Sequence, residues 1–146
     1  MTQPAKPASS MQTIVLVIGV ILKGNSILMR KKPDGSPPYK QTWYLFGGEL
    51  TSENHNPQQV LKDAVKAQAG INIKIDSTIG WDTEVKPSHD GLESSFIYLD
   101  CICSYESGEL APGPGIEKLE WVPINELSNY DLVPPTVKLL KKLKYI

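Results

Sequence analysis

The sequence predicts an α/β fold, an α/β/α sandwich with a mixed β-sheet, and three observations carry this prediction. Apolar stretches with the composition of β-strands lie on both sides of one central helix-forming segment, residues 57–69. A second helix signal closes the chain beyond Pro134-Pro135. A chain of 146 residues is long enough for one core, which we place in a domain of residues 12–146 behind a flexible arm, residues 1–11.

Two strands and a long loop are predicted before the central helix. Residues 13–22 are almost wholly apolar and β-branched, which is typical of a strand buried on both faces. Lys23-Gly24-Asn25-Ser26 is a hairpin turn signal, and residues 27–31 return as the second strand. Residues 33–42 are rich in proline, which excludes a strand interior and predicts a surface loop.

The segment from Trp43 to Gly70 predicts a strand end, a glycine turn and one capped helix. Trp43–Phe46 has strand composition, and the Gly47-Gly48 pair lets the backbone turn through positive φ and approach a ligand closely. Asn56 is predicted as the N-cap and Pro57 as the first helical residue, because proline has no N–H to leave unpaired there. Gly70 fits the left-handed residue that ends a helix.

The second half of the chain predicts further strands and a closing helix. Apolar and polar residues alternate with the period of two that a half-buried strand requires. The expected elements are a strand at residues 72–81, a hairpin at 82–94, a strand at 95–105, a loop at 108–115, a late strand at 117–123 and an amphipathic helix within 131–146.

Composition limits the partners and the cellular compartment. A formal net charge of −1 gives no electrostatic reason to propose nucleic acid, and no apolar run reaches the roughly 20 residues that span a bilayer. Cys101 and Cys103 lie two apart on a predicted strand, so their side chains point the same way without converging, and we expect both to be reduced and buried. This favours a cytoplasmic location. A homodimer is compatible with the sequence, which contains nothing that fixes the number of copies.

The stretch from Trp43 to Ile71 resembles the Nudix box, in which Gly, five residues, Glu and seven residues precede Arg-Glu-aliphatic-x-Glu-Glu-x-Gly-aliphatic. Aligned on Gly70-Ile71, the motif also matches at Val65. The box is degenerate, because Asp63 replaces the Arg and Ala64, Ala67 and Gln68 replace the three glutamates. The distance from Gly48 to Gly70 is one residue longer than the motif. The later segment EKLEWVP, followed by Glu126-Leu127, also resembles Nudix proteins.

The resemblance implies a Nudix-like sandwich and a site that uses Mg²⁺ or Mn²⁺. In the family, the helix glutamates hold the metal ions that clamp a diphosphate and activate water, and hard cations of this kind need oxygen ligands. Carried over to this sequence, it implies catalytic roles for Glu49 and Glu53, substrate contacts from the backbone of Gly47 and Gly48, and metal ligation by Glu53, Gln68 and Glu120.

Two functions of different class follow from this resemblance. One is a divergent Nudix hydrolase with weak or altered activity, which splits a nucleoside diphosphate linked to another moiety. The other is a catalytically inactive Nudix-fold domain that binds a nucleotide-like ligand or a protein partner. The prevalence of enzymes in the family favours the first, whereas the apolar residues of the box helix favour the second.

Overall fold

The computed structural model describes residues 11–146, so all of the predicted flexible arm except Met11 lies outside the described residues. Seven strands, two α-helices and one 3₁₀-helix follow in the order β1 (Gln12–Lys23), β2 (Ser26–Lys31), β3 (Trp43–Tyr44), β4 (Phe46–Glu49), α1 (Pro57–Ala69), β5 (Asn72–Pro87), β6 (Glu93–Ser107), β7 (Lys118–Pro123), the 3₁₀-helix (Ile124–Asn129) and α2 (Pro134–Lys142).

The strands form one mixed sheet. Its central path is β3-β2-β1-β6-β5, while β4 pairs with β1 and β7 pairs with β2. The β1 and β6 strands run parallel from Gln12↔Ser94 to Leu22↔Ser104, and the other pairs are antiparallel. The predicted mixed sheet is therefore confirmed.

Two apolar layers lie on opposite faces of the sheet, because side chains along β1 alternate between them. Val17 and Ile21 point into a cluster with Leu61 and Val65 of α1. Val20 points into a second cluster, which contains Leu127 of the 3₁₀-helix and Leu139 and Leu140 of α2. Helices thus cover both faces, as the predicted α/β/α sandwich requires.

Two sequence predictions about local structure need correction. Gly47 and Gly48 are not a turn but part of β4, where they pair with Ile18 and Val17 of β1. The segment after residue 81 remains extended to Pro87, so the hairpin tip is shorter than predicted. The local composition of both segments indicates a turn. Pairing with a neighbouring strand, β1 in the first case and β6 in the second, keeps them extended instead.

The cysteine prediction is confirmed. Cys101 and Cys103 are free and buried, and both belong to the cluster beneath α1. Burial raises the pKa of Cys103 to about 12, so this thiol stays protonated at neutral pH. Within residues 11–146 neither helix is long and apolar enough to cross a membrane.

Candidate functional site

The helix α1 begins and ends at the residues that the sequence marks. The Asn56 side chain accepts a hydrogen bond from the Gln59 backbone N–H at 3.2 Å, and Pro57 occupies the first turn. Gly70 adopts a left-handed φ of 78° and its N–H donates to the Lys66 carbonyl at 3.0 Å. These caps satisfy backbone groups that a helix leaves open at its ends.

The two glycines of β4 allow close packing between the sheet and α1. A Cβ atom at Gly48 would lie 2.9 Å from Val60 Cγ1 and 3.1 Å from Ala64 Cβ. At Gly47 it would lie 2.6 Å from Ile18 Cδ1. Both positions therefore require glycine for space, although neither has positive φ.

The side chain of Gln68 joins α1 to β4 at the position where the Nudix motif ends its glutamate series. Its Nε2 donates a hydrogen bond to the Gly47 carbonyl at 3.0 Å. Its Oε1 is buried and has no hydrogen-bond partner among residues 11–146. The amide nitrogen of Gln68 is thus occupied by the Gly47 carbonyl. The amide oxygen of Gln68 carries no charge.

The connection between β6 and β7 closes the C-terminal end of α1. The backbone N–H of Ala111 donates to the Ala69 carbonyl at 2.8 Å, and that of Gly113 donates to the Gln68 carbonyl at 2.9 Å. These bonds pair carbonyls that a helix end leaves free. The last turn of the box helix is therefore packed against this loop.

The carboxylates predicted for the site are dispersed. Glu49 and Glu53 are exposed. Glu120 accepts a hydrogen bond from the Tyr130 hydroxyl and lies 3.2 Å from Lys118 Nζ. Tyr130 packs against the apolar cluster that contains Leu139 and Leu140 of α2. The structure therefore places Glu120 on the sheet face opposite Gln68. It does not bring these two residues together, and the metal and catalytic roles of all four remain predictions.

The residues around Gln68 do not fit the magnesium centre that the resemblance implies. No group of three or more His, Cys, Asp or Glu side chains within the described residues is arranged to hold a metal ion. The orphaned Gln68 Oε1 supplies one neutral oxygen, whereas magnesium sites use carboxylates. We therefore derive no chemical step through a metal at the box.

A cavity of about 380 Å³ lies on the other face of the sheet, and we call it the Arg30 cavity. Its floor is formed by β1, β5 and β6, and its walls by α2 and the loop before β3. Apolar side chains that include Leu16, Ile18 and Leu139 contribute most of the lining. This size and composition are typical of a small-molecule site.

Arg30 is a cation that lines this cavity. Its guanidinium carbon lies 4.4 Å from the ring centroid of Tyr44, and its Nε donates to the Leu45 carbonyl at 2.7 Å. No carboxylate lies within 4.0 Å of it in the described part of the chain, and no other hydrogen bond engages its remaining N–H groups there. Burial lowers the pKa of Arg30, but a guanidinium keeps its charge in proteins.

A polar network fixes the loop at the mouth of the cavity. The hydroxyls of Tyr39 and Tyr98 donate to Glu84 Oε1 at 2.7 Å and 2.6 Å, and Lys86 Nζ lies 3.2 Å from the same oxygen. Burial alone would raise the pKa of Glu84, but these hydrogen bonds outweigh it and hold that pKa below its usual value. The buried ammonium of Lys32 donates to the Tyr39 carbonyl at 2.6 Å. The loop is therefore held from two sides.

Two aspartates, which we call the acid pair, line the same cavity from neighbouring strands. Asp82 lies on β5, and Asp100, only 2% exposed, lies on β6. Burial and the neighbouring Asp82 raise the pKa of Asp100 to about 7. Lys142 of α2 places its Nζ 3.0 Å from Asp82 Oδ2 and 3.5 Å from Asp100 Oδ2.

Sequence reasoning did not select Arg30, Tyr44 or the acid pair. A signal was present for Asp100, because it is a charged residue in the middle of an otherwise apolar strand. The sequence around Arg30 contains no such signal, because only strand pairing brings Arg30 next to Tyr44 and the cavity.

Comparison with known proteins identifies the fold. No protein-family model matches the chain, and no curated protein sequence matches it either. Among solved structures, the MutT protein from Methanosarcina mazei Go1 is similar with a TM-score of 0.73 and 14% identity, over 93% of this chain and 94% of that one. A NUDIX hydrolase from Nitrosomonas europaea has a TM-score of 0.73 and 15% identity, over 91% and 89%.

The ORF135 protein of E. coli gives the same result, with a TM-score of 0.69 and 19% identity over 94% of this chain and 95% of that chain. The similarity covers the sheet and both helical layers, because little of either chain falls outside the match. The chain therefore has the fold of the Nudix hydrolases.

Proposed function

We propose that this Nudix-fold domain binds a nucleotide-like small molecule in the Arg30 cavity, and that its box helix is a scaffold rather than a metal centre. The observation that carries the proposal is the guanidinium of Arg30, which lines the cavity without a carboxylate partner in the described chain. A cation removed from water is costly unless an anion pairs with it. A phosphate group of a ligand supplies that anion, and guanidinium binds phosphate through parallel hydrogen bonds.

The rest of the cavity suits the planar part of such a ligand. The ring of Tyr44 and the side chains of Leu16, Ile18 and Pro134 provide aromatic and apolar contact surface. Aromatic rings stack on nucleobases, and apolar walls exclude water from the base. An anionic group at Arg30 and a flat ring against these walls together describe a nucleotide derivative.

The contact between Gln68 and Gly47 supports binding without hydrolysis. The Gln68 amide holds the Gly47 carbonyl at 3.0 Å, and Ala64 and Ala67 place no ligand atom beside it. Metal-assisted hydrolysis needs oxygen donors that fix the ion and its water. A ligand in the Arg30 cavity is accordingly bound and released unchanged.

A second candidate is a metal-dependent diphosphohydrolase of low activity. It is favoured by the structural neighbours, of which the protein from Nitrosomonas europaea is titled a hydrolase. Glu53, with Glu49 or a phosphate of the substrate, would then hold Mn²⁺ or Mg²⁺. Phosphate release from ADP-ribose at millimolar Mn²⁺, in the presence of a phosphatase, tests this candidate.

Titration calorimetry with AMP and ADP-ribose in EDTA tests the proposed function. We expect binding by the natural protein, and at least about tenfold weaker binding by Arg30→Met, because a charge-assisted hydrogen bond is lost. Lys118→Met is the matched control, since it removes one positive charge from an exposed position on β7, outside the cavity. Equal binding by Arg30→Met and the natural protein, or no binding without a divalent ion, contradicts the proposal.

A further inference from the structure

Asp100 is a carboxyl group enclosed between the sheet and α2. It lies on β6 and is 2% exposed, with Ile18 of β1 and Gly80 of β5 as its strand partners. Asp82 of β5 shares a hydrogen bond with it, and two carboxyls can share such a bond only if one of them is protonated. The proton belongs to Asp100, because the side chain of Asp82 is 15% exposed and is less opposed to ionisation by burial.

Two lysines of α2 contact the acid pair from above the sheet. Lys142 Nζ lies 3.0 Å from Asp82 Oδ2 and 3.5 Å from Asp100 Oδ2. Lys138 Nζ lies 3.6 Å from Asp82 Oδ1. The end of α2 is therefore attached to β5 and β6 through the two carboxyl groups.

The groups that the neighbouring strands place near Asp100 do not change their charge at neutral pH. On β6, burial raises the pKa of Tyr98 and of Cys101, so both are neutral at pH 7. On β5, burial would raise the pKa of Glu84, but hydrogen bonds from two tyrosines outweigh it and lower that pKa. On β1, the strand partner of Asp100 is the apolar Ile18. Within this cluster, Asp100 is the group whose charge changes near pH 7.

The helix α2 depends on its packing against the sheet. It has nine residues, and no side chain caps its N-terminus. A helix this short is not stable alone, so α2 is held by Leu139 and Leu140 in the apolar cluster and by its lysines at the acid pair. An element held by few contacts opens locally before the rest of a fold.

We infer that the acid pair is a pH-sensitive switch, which holds α2 on the sheet while the two carboxyls share a proton and loosens α2 when that proton is lost. With the proton, Asp100 donates to Asp82, whose charge is paired with the lysines. Without it, Asp100 carries a buried charge next to a second carboxylate, which is costly. Entry of water relieves this cost. Because strand pairing fixes β1, β5 and β6, α2 is the element that moves to admit water. The inference goes beyond the proposed function and does not depend on it.

Proton linkage fixes the direction of the pH dependence. Burial and the neighbouring Asp82 raise the pKa of Asp100 from about 4, its value in an unfolded chain, to about 7, and Lys142 offsets this only in part. The folded state therefore binds the proton more tightly than the unfolded state does. The stability that results is complete below about pH 4 and is lost as the pH rises through about 7. The lowered pKa values of Asp82 and Glu84 act at more acidic pH.

Urea titrations at pH 5 and pH 8 test this direction. We expect the folded-to-unfolded ratio of the natural protein to be at least about tenfold lower at pH 8. Asp100→Asn should keep that ratio within about threefold between the two pH values, because an amide donates to Asp82 without a titratable proton. Glu106→Gln, at an exposed position on the same strand, should retain the decrease. A natural protein as stable at pH 8 as at pH 5, or a decrease that persists in Asp100→Asn, overturns the inference.

Hydrogen exchange tests whether α2 is the element that loosens. At pH 8 the amides of α2 should be protected at least about tenfold less than those of α1, after correction for intrinsic exchange rates, and the difference should be smaller at pH 6. Asp100→Asn should show the same difference at both pH values. A difference between the helices that does not change with pH in the natural protein contradicts the assignment to α2.

Lys142→Met provides a test that does not alter the buried carboxyl. Its ammonium favours the ionised form of Asp100, so its removal should move the midpoint of the stability decrease to higher pH. Lys141→Met, an exposed change on the same helix, should leave the midpoint in place. If Asp100→Asn fails to fold, this pair of variants and the pH profile of the natural protein decide the question. Equal midpoints in the two lysine variants overturn the inference.

Discussion

At the scale of single residues, the site is defined by what each side chain contacts across the sheet. The sequence is enough to show that Gln68 occupies a position where the Nudix motif has glutamate. It cannot show that the amide donates to Gly47, because 21 residues separate the two and only the packing of α1 on β4 brings them together. For the same reason the unpaired state of Arg30 could not be predicted.

Replacing Gln68 by glutamate tests this contact. A carboxylate facing the Gly47 carbonyl loses the hydrogen bond and repels the oxygen, so Gln68→Glu should lower the free energy of unfolding by about 1–3 kcal/mol at pH 7. The loss should diminish as the pH falls towards 4, because a protonated glutamate can donate to that carbonyl. Urea titration measures both effects.

The same variant distinguishes a structural contact from a metal site. Addition of 5–10 mM Mg²⁺, roughly the range in which weak sites fill, should not restore the stability of Gln68→Glu. Recovery with Mg²⁺ but not with K⁺ at equal ionic strength would show that position 68 belongs to a metal centre. Gln58→Glu, an exposed change on the same helix, serves as the control.

At the scale of elements, the helices and most strands follow from local signals. Asn56, Pro57 and Gly70 mark α1 because caps act within one turn of the helix. The Gly47-Gly48 pair misleads, since glycine indicates a turn locally but here provides the space that α1 needs against β4. Whether a glycine allows a turn or makes room for a packed neighbour depends on residues that are distant in the sequence.

The packing role of Gly48 leads to a stability prediction. Gly48→Ala should destabilise the protein by about 1–3 kcal/mol, because the new methyl group would overlap Val60 Cγ1 and the Ala64 methyl in a closely packed interface. Chemical denaturation followed by circular dichroism measures the change. Lys62→Ala, on the exposed side of α1, should change stability by less than about 0.5 kcal/mol. An unchanged midpoint for Gly48→Ala would contradict the packing at this interface.

At the scale of the whole molecule, the order of elements was sufficient to predict the sandwich and its mixed sheet. The candidate site was not predictable in the same way, because it combines β2, β5, β6 and α2 with the loop before β3. Those segments share no motif, and only the sheet order brings them together. The motif that the sequence does contain, in α1, lies on the opposite face.

A crystal structure of the protein soaked with AMP and Mn²⁺ would show where the ligand and the metal bind. The claim is that ligand binding occurs at Arg30, in the cavity beside α2, and not at a metal on the box helix. We expect the phosphate to lie within hydrogen-bond distance, about 3 Å, of the Arg30 guanidinium. We also expect no anomalous Mn²⁺ signal beside Gln68. A manganese ion between the Gly47 carbonyl and Gln68, with the phosphate bound to it, would contradict the account.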